Sequence, residues 1–134
     1  MKKILLLSLL FAGGVSCKKD KNTPPEVLEG TWELRRHQSD VLLVSTSGNG
    51  ELFRFTGNSY EQRSQDRVTR SGTFRLTKGF NANGALDDRI IFDNQTDANA
   101  TTFYQLTGDS LTIMYGSLSN NGSGAIVSYK KISD

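Results

Sequence analysis

The sequence predicts an all-β domain, built as an antiparallel up-and-down meander, on three observations. Apolar residues alternate with period two in one short run after another from Val27 on, with no helical period between them. Tight turn signals, Gly57-Asn58 and Gly108-Asp109, sit between such runs. Proline does not occur after Pro25, while glycine, Thr, Val, Ile, Phe and Tyr recur throughout.

The strands are expected in the following order. Gly30 to His37 alternates with Trp32, Leu34 and Arg36 on one side, and Val41 to Thr46 is a short apolar run. Glu51 to Thr56 puts Phe53 and Phe55 on one face, and Ser59 to Ser64 follows. Arg67 to Thr77 places Val68, Arg70, Gly72, Phe74 and Leu76 on one face. Arg89 to Asp93, Thr101 to Leu106, Ser110 to Tyr115 and Ala125 to Ile132 complete the set. Lys78 to Asp88 reads as the longest irregular stretch; Ser47 to Gly50 and Asn120 to Gly124 read as looser connections. Short connections imply antiparallel neighbours. Eight or nine strands in a meander leave two edges, and closing into a barrel removes both. A two-sheet β-sandwich is the alternative.

The N-terminus has a different character. Met1-Lys2-Lys3, the apolar run Ile4 to Ala12 and the small residues near Gly13 to Ser16 have the layout of an export signal, and the run is short of the ~20 residues of a spanning helix. Cys17, the only cysteine, follows directly. Val15-Ser16-Cys17 resembles the lipobox of bacterial lipoproteins, with Gly14 where an aliphatic residue is usual. That resemblance implies cleavage before Cys17 and acylation of its thiol, which anchors the chain to a membrane. Ordinary cleavage after Gly14-Val15-Ser16 is the competing reading. The resulting division is a signal peptide over 1–16, an acylated cysteine and tether over 17–26, and a domain over 27–134.

Removal of the signal would leave 118 of the 134 residues. Lys2 and Lys3 would go with it, so the 16 basic residues fall to 14 against 14 acids, and the +2 of the whole chain becomes zero. A neutral domain exerts no global pull on nucleic acid, which is not expected as a partner. Without a second cysteine, the core alone must hold the fold.

Gly30-Thr31-Trp32 resembles the Gly-x-Trp motif that opens lipocalins. "LEGTWEL", "GTF", "LTGDSLTI" and "YKKI" resemble the small lipocalin-like lipoproteins of Bacteroidetes, over Val27 to Ser133. The resemblance implies an up-and-down barrel with an apolar cavity, Trp32 plugging its base. A small barrel filled by its own side chains is the other outcome. It also implies the outer membrane, and Lys18-Lys19-Asp20 lacks the acidic run of a surface-export signal, which favours the periplasmic face. Asp109-Ser110-Leu111 resembles a short O-glycosylation motif of the same bacteria.

Catalysis has little to stand on: His37 is the only histidine, and no Gly-x-Ser-x-Gly elbow exists. Asp87, Asp88, Asp93 and Asp97 offer oxygen ligands for calcium without EF-hand spacing, and solvated turns are the plainer reading. No metal or other cofactor is expected. Arg70 and Arg36 draw more interest, because a cation on an apolar face must be paired, reach water, or await a ligand anion. The candidate ligand contacts are Phe55, Tyr60, Arg70 and Tyr115. The expected function is binding of a small apolar or amphipathic molecule without catalysis; the alternative is a filled barrel that binds an envelope protein through its surface.

Overall fold

A computed structural model of the chain describes residues 25–93, 95–96, 101–116 and 124–134. Cys17, the signal, most of the tether, Asp97 and residues 120–123 of the last loop lie outside them. After a 3-10 turn over Pro25–Leu28 come nine strands: β1 (Gly30–Gln38), β2 (Leu42–Val44), β3 (Leu52–Thr56), β4 (Ser59–Ser64), β5 (Arg67–Phe80), β6 (Leu86–Phe92), β7 (Phe103–Thr107), β8 (Ser110–Tyr115) and β9 (Ala125–Ser133). All pairings are antiparallel. β1, β3, β4, β5, β6, β7, β8 and β9 form a ring, which the β1–β9 pairing closes. The barrel expected from the sequence is therefore the fold, and the sandwich is not.

Period-two alternation builds the interior. Trp32, Phe53, Phe55, Tyr60, Phe74, Leu76, Ile90, Phe92, Leu111, Ile113 and Tyr129 turn inward and are buried. Phe53 is at the centre of an aromatic group: its ring centroid lies 4.4 Å from Phe55, 5.6 Å from Tyr60, 5.7 Å from Tyr129 and 5.9 Å from Phe92. Such offset and edge-on contacts add about 0.5–1.5 kcal/mol per pair to the burial itself. These rings come from β3, β4, β6 and β9, so one residue joins strands distant in sequence.

The two ends of the barrel differ. At one end the connections are short: Gly57-Asn58 between β3 and β4, Gly108-Asp109 between β7 and β8, and residues 81–85 between β5 and β6. Gly57 (φ 53°) and Gly108 (φ 58°) take the positive φ at the first turn position that a two-residue type II′ hairpin requires. The 3-10 turn caps this same end. Leu28 is fully buried, and the Trp32 indole Nε1–H donates to its carbonyl at 2.8 Å. The other end carries the long connections, after β1, β6 and β8.

Two strand expectations are corrected. Lys78 to Asp88 is not irregular: β5 runs on to Phe80 and β6 begins at Leu86, with Phe80 opposite Leu86. Asn81 organises the turn, its side-chain oxygen accepting from the N–H of Asn83 (2.9 Å) and Ala85 (3.0 Å). The Val41 to Thr46 run forms only the short β2, which pairs with the far end of β1 outside the ring. Its apolar residues are exposed.

A candidate ligand site at the barrel rim

The candidate site lies at the end with the long connections. β5 is longer than its neighbour: Phe74 is opposite Phe92 at the end of β6, so residues 67–72 of β5 run past β6 and pair with β4 alone. Arg70 projects from the inward face of this overhang. Its guanidinium carbon is 5.6 Å from the Tyr60 ring centroid and 5.9 Å from that of Phe92. It thus covers the aromatic core from above while 54% of its side chain stays exposed.

Asp93, just past β6, fixes that arginine. Its Oδ2 accepts from Arg70 Nη2 at 3.2 Å and from the Tyr60 hydroxyl at 3.0 Å, and its Oδ1 accepts from Thr73 N–H at 3.1 Å. Asp93 has a positive φ of 55°, and its own N–H donates to Thr73 O at 2.7 Å. Gly72 makes the arrangement sterically possible. A Cβ there would stand 1.8 Å from Asp93 Oδ1 and 3.0 Å from the Tyr60 ring.

Charge follows from these contacts. Partial desolvation raises the Asp93 pKa, but the hydrogen bonds from Tyr60, Arg70 and Thr73 outweigh it and hold the carboxyl below the ordinary aspartate range. For Arg70, desolvation acts to lower the pKa; the bond to Asp93 wins and raises it. Burial, and then the neighbouring carboxylate, push the Tyr60 hydroxyl up. Tyr115, at the end of β8, is pushed up to about 12 by burial, which outweighs the opposing pull of Arg70 and of a hydrogen bond with Tyr129. Burial likewise raises Tyr129. The rim therefore presents one fixed ion pair and hydroxyls that stay protonated at neutral pH.

The four candidate contacts do not form one set. Tyr60 and Arg70 meet at Asp93, and Tyr115 lies within electrostatic reach of Arg70. Phe55 is elsewhere, 1% exposed, between Phe53 and Phe74 in the packed interior. Asp93 and Tyr129 were not among these four. The sequence offered Asp93 only as an oxygen ligand for calcium; its place between Tyr60 and Arg70 depends on an inter-strand distance and on the missing Cβ at Gly72. Arg36 is exposed beside a register shift in the β1–β9 pairing, and its Nη2 donates to Gln38 Oε1 at 3.0 Å. The aspartates near β6 have separate partners: Asp87 accepts from Asn81 at 2.6 Å, Asp88 pairs with Lys78 at 2.5 Å and Asp93 with Arg70. Among the described residues, no group of three or more His, Cys, Asp or Glu side chains is placed to hold a metal ion.

An open groove of about 480 Å³ runs along β3, β4 and β5, lined by Arg54, Glu61 and Arg63 and reaching Tyr60, Gly72 and Thr73 of the candidate site. Arg63 is already paired with Glu61. Ser110 is exposed after the Gly108-Asp109 turn, and Asp109 is paired with Lys130.

In comparison with known proteins, the chain matches no family model, no curated protein and no solved structure.

Proposed function

We propose that this chain is a lipid-anchored cell-envelope protein, akin to the lipocalin-like lipoproteins it resembles, whose barrel binds a small amphipathic ligand at its rim without catalysis. One observation carries the reading. Arg70 is held over the Tyr60 and Phe92 rings, yet its side chain remains half exposed beside Asp93. An amphiphile with an anionic head could exchange with Asp93 on the guanidinium and lay its apolar part along the rim aromatics. The tyrosine hydroxyls, kept protonated by burial, suit hydrogen bonding to a ligand better than acid–base chemistry.

The anchor belongs to the same proposal. Cys17 would carry the acyl chains, and two or more such chains make attachment stable. The tether enters the domain beside the capped end, so the rim would face away from the outer membrane, into the periplasm. Titration calorimetry with dodecanoate, and with neutral dodecanol for comparison, tests the ligand class. Dodecanoate is expected to bind more tightly, and Arg70→Ala to weaken it about tenfold or more. Equal binding to wild type and variant, or none, would refute the rim site.

A second reading has its own support. The rings around Phe53 fill the interior from four strands, as expected of a barrel that binds an envelope protein through its surface.

A further inference from the structure

We propose that the free edge of β2 pairs with the same edge of a second copy of this chain, joining two barrels through one continuous antiparallel sheet. Val41, Leu42, Leu43 and Val44 are each between 51% and 72% exposed, an apolar run of four whose last three residues form a strand outside the barrel ring. Exposed edges are usually blunted by shortness, lysine, proline or a bulge. β2 is short, at three residues, but has no lysine, proline or bulge, and no described strand lies on its outer side.

The hydrogen-bond phase of β2 limits the partner's register. Ser39 N–H donates to Val41 O at 3.3 Å, and Ser45 N–H donates to Arg35 O at 2.9 Å. Residues 41, 43 and 45 therefore turn their backbone polar groups toward β1. By strand alternation, Leu42 and Val44 turn theirs outward, with no partner in the sheet. An antiparallel partner must meet those two residues with outward groups of its own. A second copy does so about a two-fold axis at Leu43: Leu42 faces Val44 of the second copy, Val44 faces its Leu42, and the two Leu43 residues face each other. Four backbone hydrogen bonds result.

The chemistry of the seam fits that register. Three apolar pairs form across it, and Asp40 falls opposite Thr46 of the second copy, so no charge meets its own copy. Moving the axis to Leu42 would set Asp40 against Val44 and lose this match. The pairing is isologous, as a two-fold dimer requires. At about four residues a side it is far smaller than a standard interface of about 20–30, so it forms at high local concentration, as between chains held on one surface.

Disulfide trapping tests both pairing and register. In the full chain carrying Cys17→Ser, a thiol introduced by Leu43→Cys is the only one present. Across the seam, position 43 is a non-hydrogen-bonded pair with Cα atoms about 4.5 Å apart, within disulfide reach. Position 42 is offset from its own copy, beyond the ~7 Å limit. Under mild oxidation at millimolar chain concentration, which stands in for the crowding of a shared surface, the Leu43→Cys chain is expected to form at least tenfold more covalent dimer than a matched Leu42→Cys chain. Equal trapping at both positions, or none at either, overturns the proposal. So does a wild-type chain that sediments as a monomer at high concentration while binding lipid vesicles in a way that Leu43→Lys abolishes, because the apolar edge would then face lipid.

Discussion

Gly72 and Asp93 show how one missing methyl group shapes the rim. Any side chain at position 72 would occupy the space of the Asp93 carboxylate. Gly72→Ala is therefore expected to destabilise the fold by about 1–3 kcal/mol. In an Asp93→Ala background the same substitution is expected to cost less than half as much, because the main clash is gone. Urea melts of the four proteins in this cycle measure the coupling. The pH dependence of Asp93 has a definite sign. Its pKa is lower in the fold than in the unfolded chain, so its stabilising contribution is complete above the unfolded value of about 4. That contribution is lost as pH falls through the folded value. The stability gap between wild type and Asp93→Asn should be fully open at pH 7 and should narrow as pH falls below about 4. A gap unchanged across that range would mean that the ion pair and hydrogen bonds do not set the carboxyl's charge.

Single elements show what the sequence could reveal. β3 and β5 were legible because Phe53 and Phe55, or Phe74 and Leu76, repeat every second residue against a buried face. The β5–β6 hairpin was not, because its outer end carries exposed Phe80 and Leu86 and alternation there has no core to report. The Ser47 to Gly50 stretch looked loose for a similar reason. Its anchor is Glu33 on β1, buried, accepting from Gly48 N–H at 2.5 Å and Gly50 N–H at 3.2 Å and paired with Arg35 at 2.7 Å. A contact spanning 15 residues leaves no local pattern. The β4–β5 turn has no glycine at all: Gln65 (φ 48°) and Asp66 (φ 62°) both adopt left-handed backbone. Two positive φ values define a type I′ turn, for which Asn-Gly is the favoured pair. Replacing Gln65-Asp66 with Asn-Gly is expected to stabilise the domain by about 1 kcal/mol, visible as a higher denaturant midpoint with unchanged slope.

The whole molecule is a ring of eight strands, capped at one end by the 3-10 turn and with its long connections at the other, and that asymmetry was only half legible. Nine short alternating runs with tight turns pointed to a barrel, and β1 meeting β9 completes it. The site was less legible: Arg70 and Tyr60 stood out as polar groups on apolar faces, but Asp93, which joins them, did not. Nor could alternation show that Phe55 belongs to the packed interior, since an inward side chain either fills a core or lines a cavity. The central claim is that this rim, presented away from an acylated Cys17, holds an amphipathic ligand. Native mass spectrometry of the mature protein purified from membranes tests it most directly. The claim predicts a diacyl or triacyl mass on the chain and an additional noncovalent small molecule that Arg70→Ala loses. A chain with no acyl mass and no bound molecule, or a bound molecule that Arg70→Ala retains in full, would contradict it.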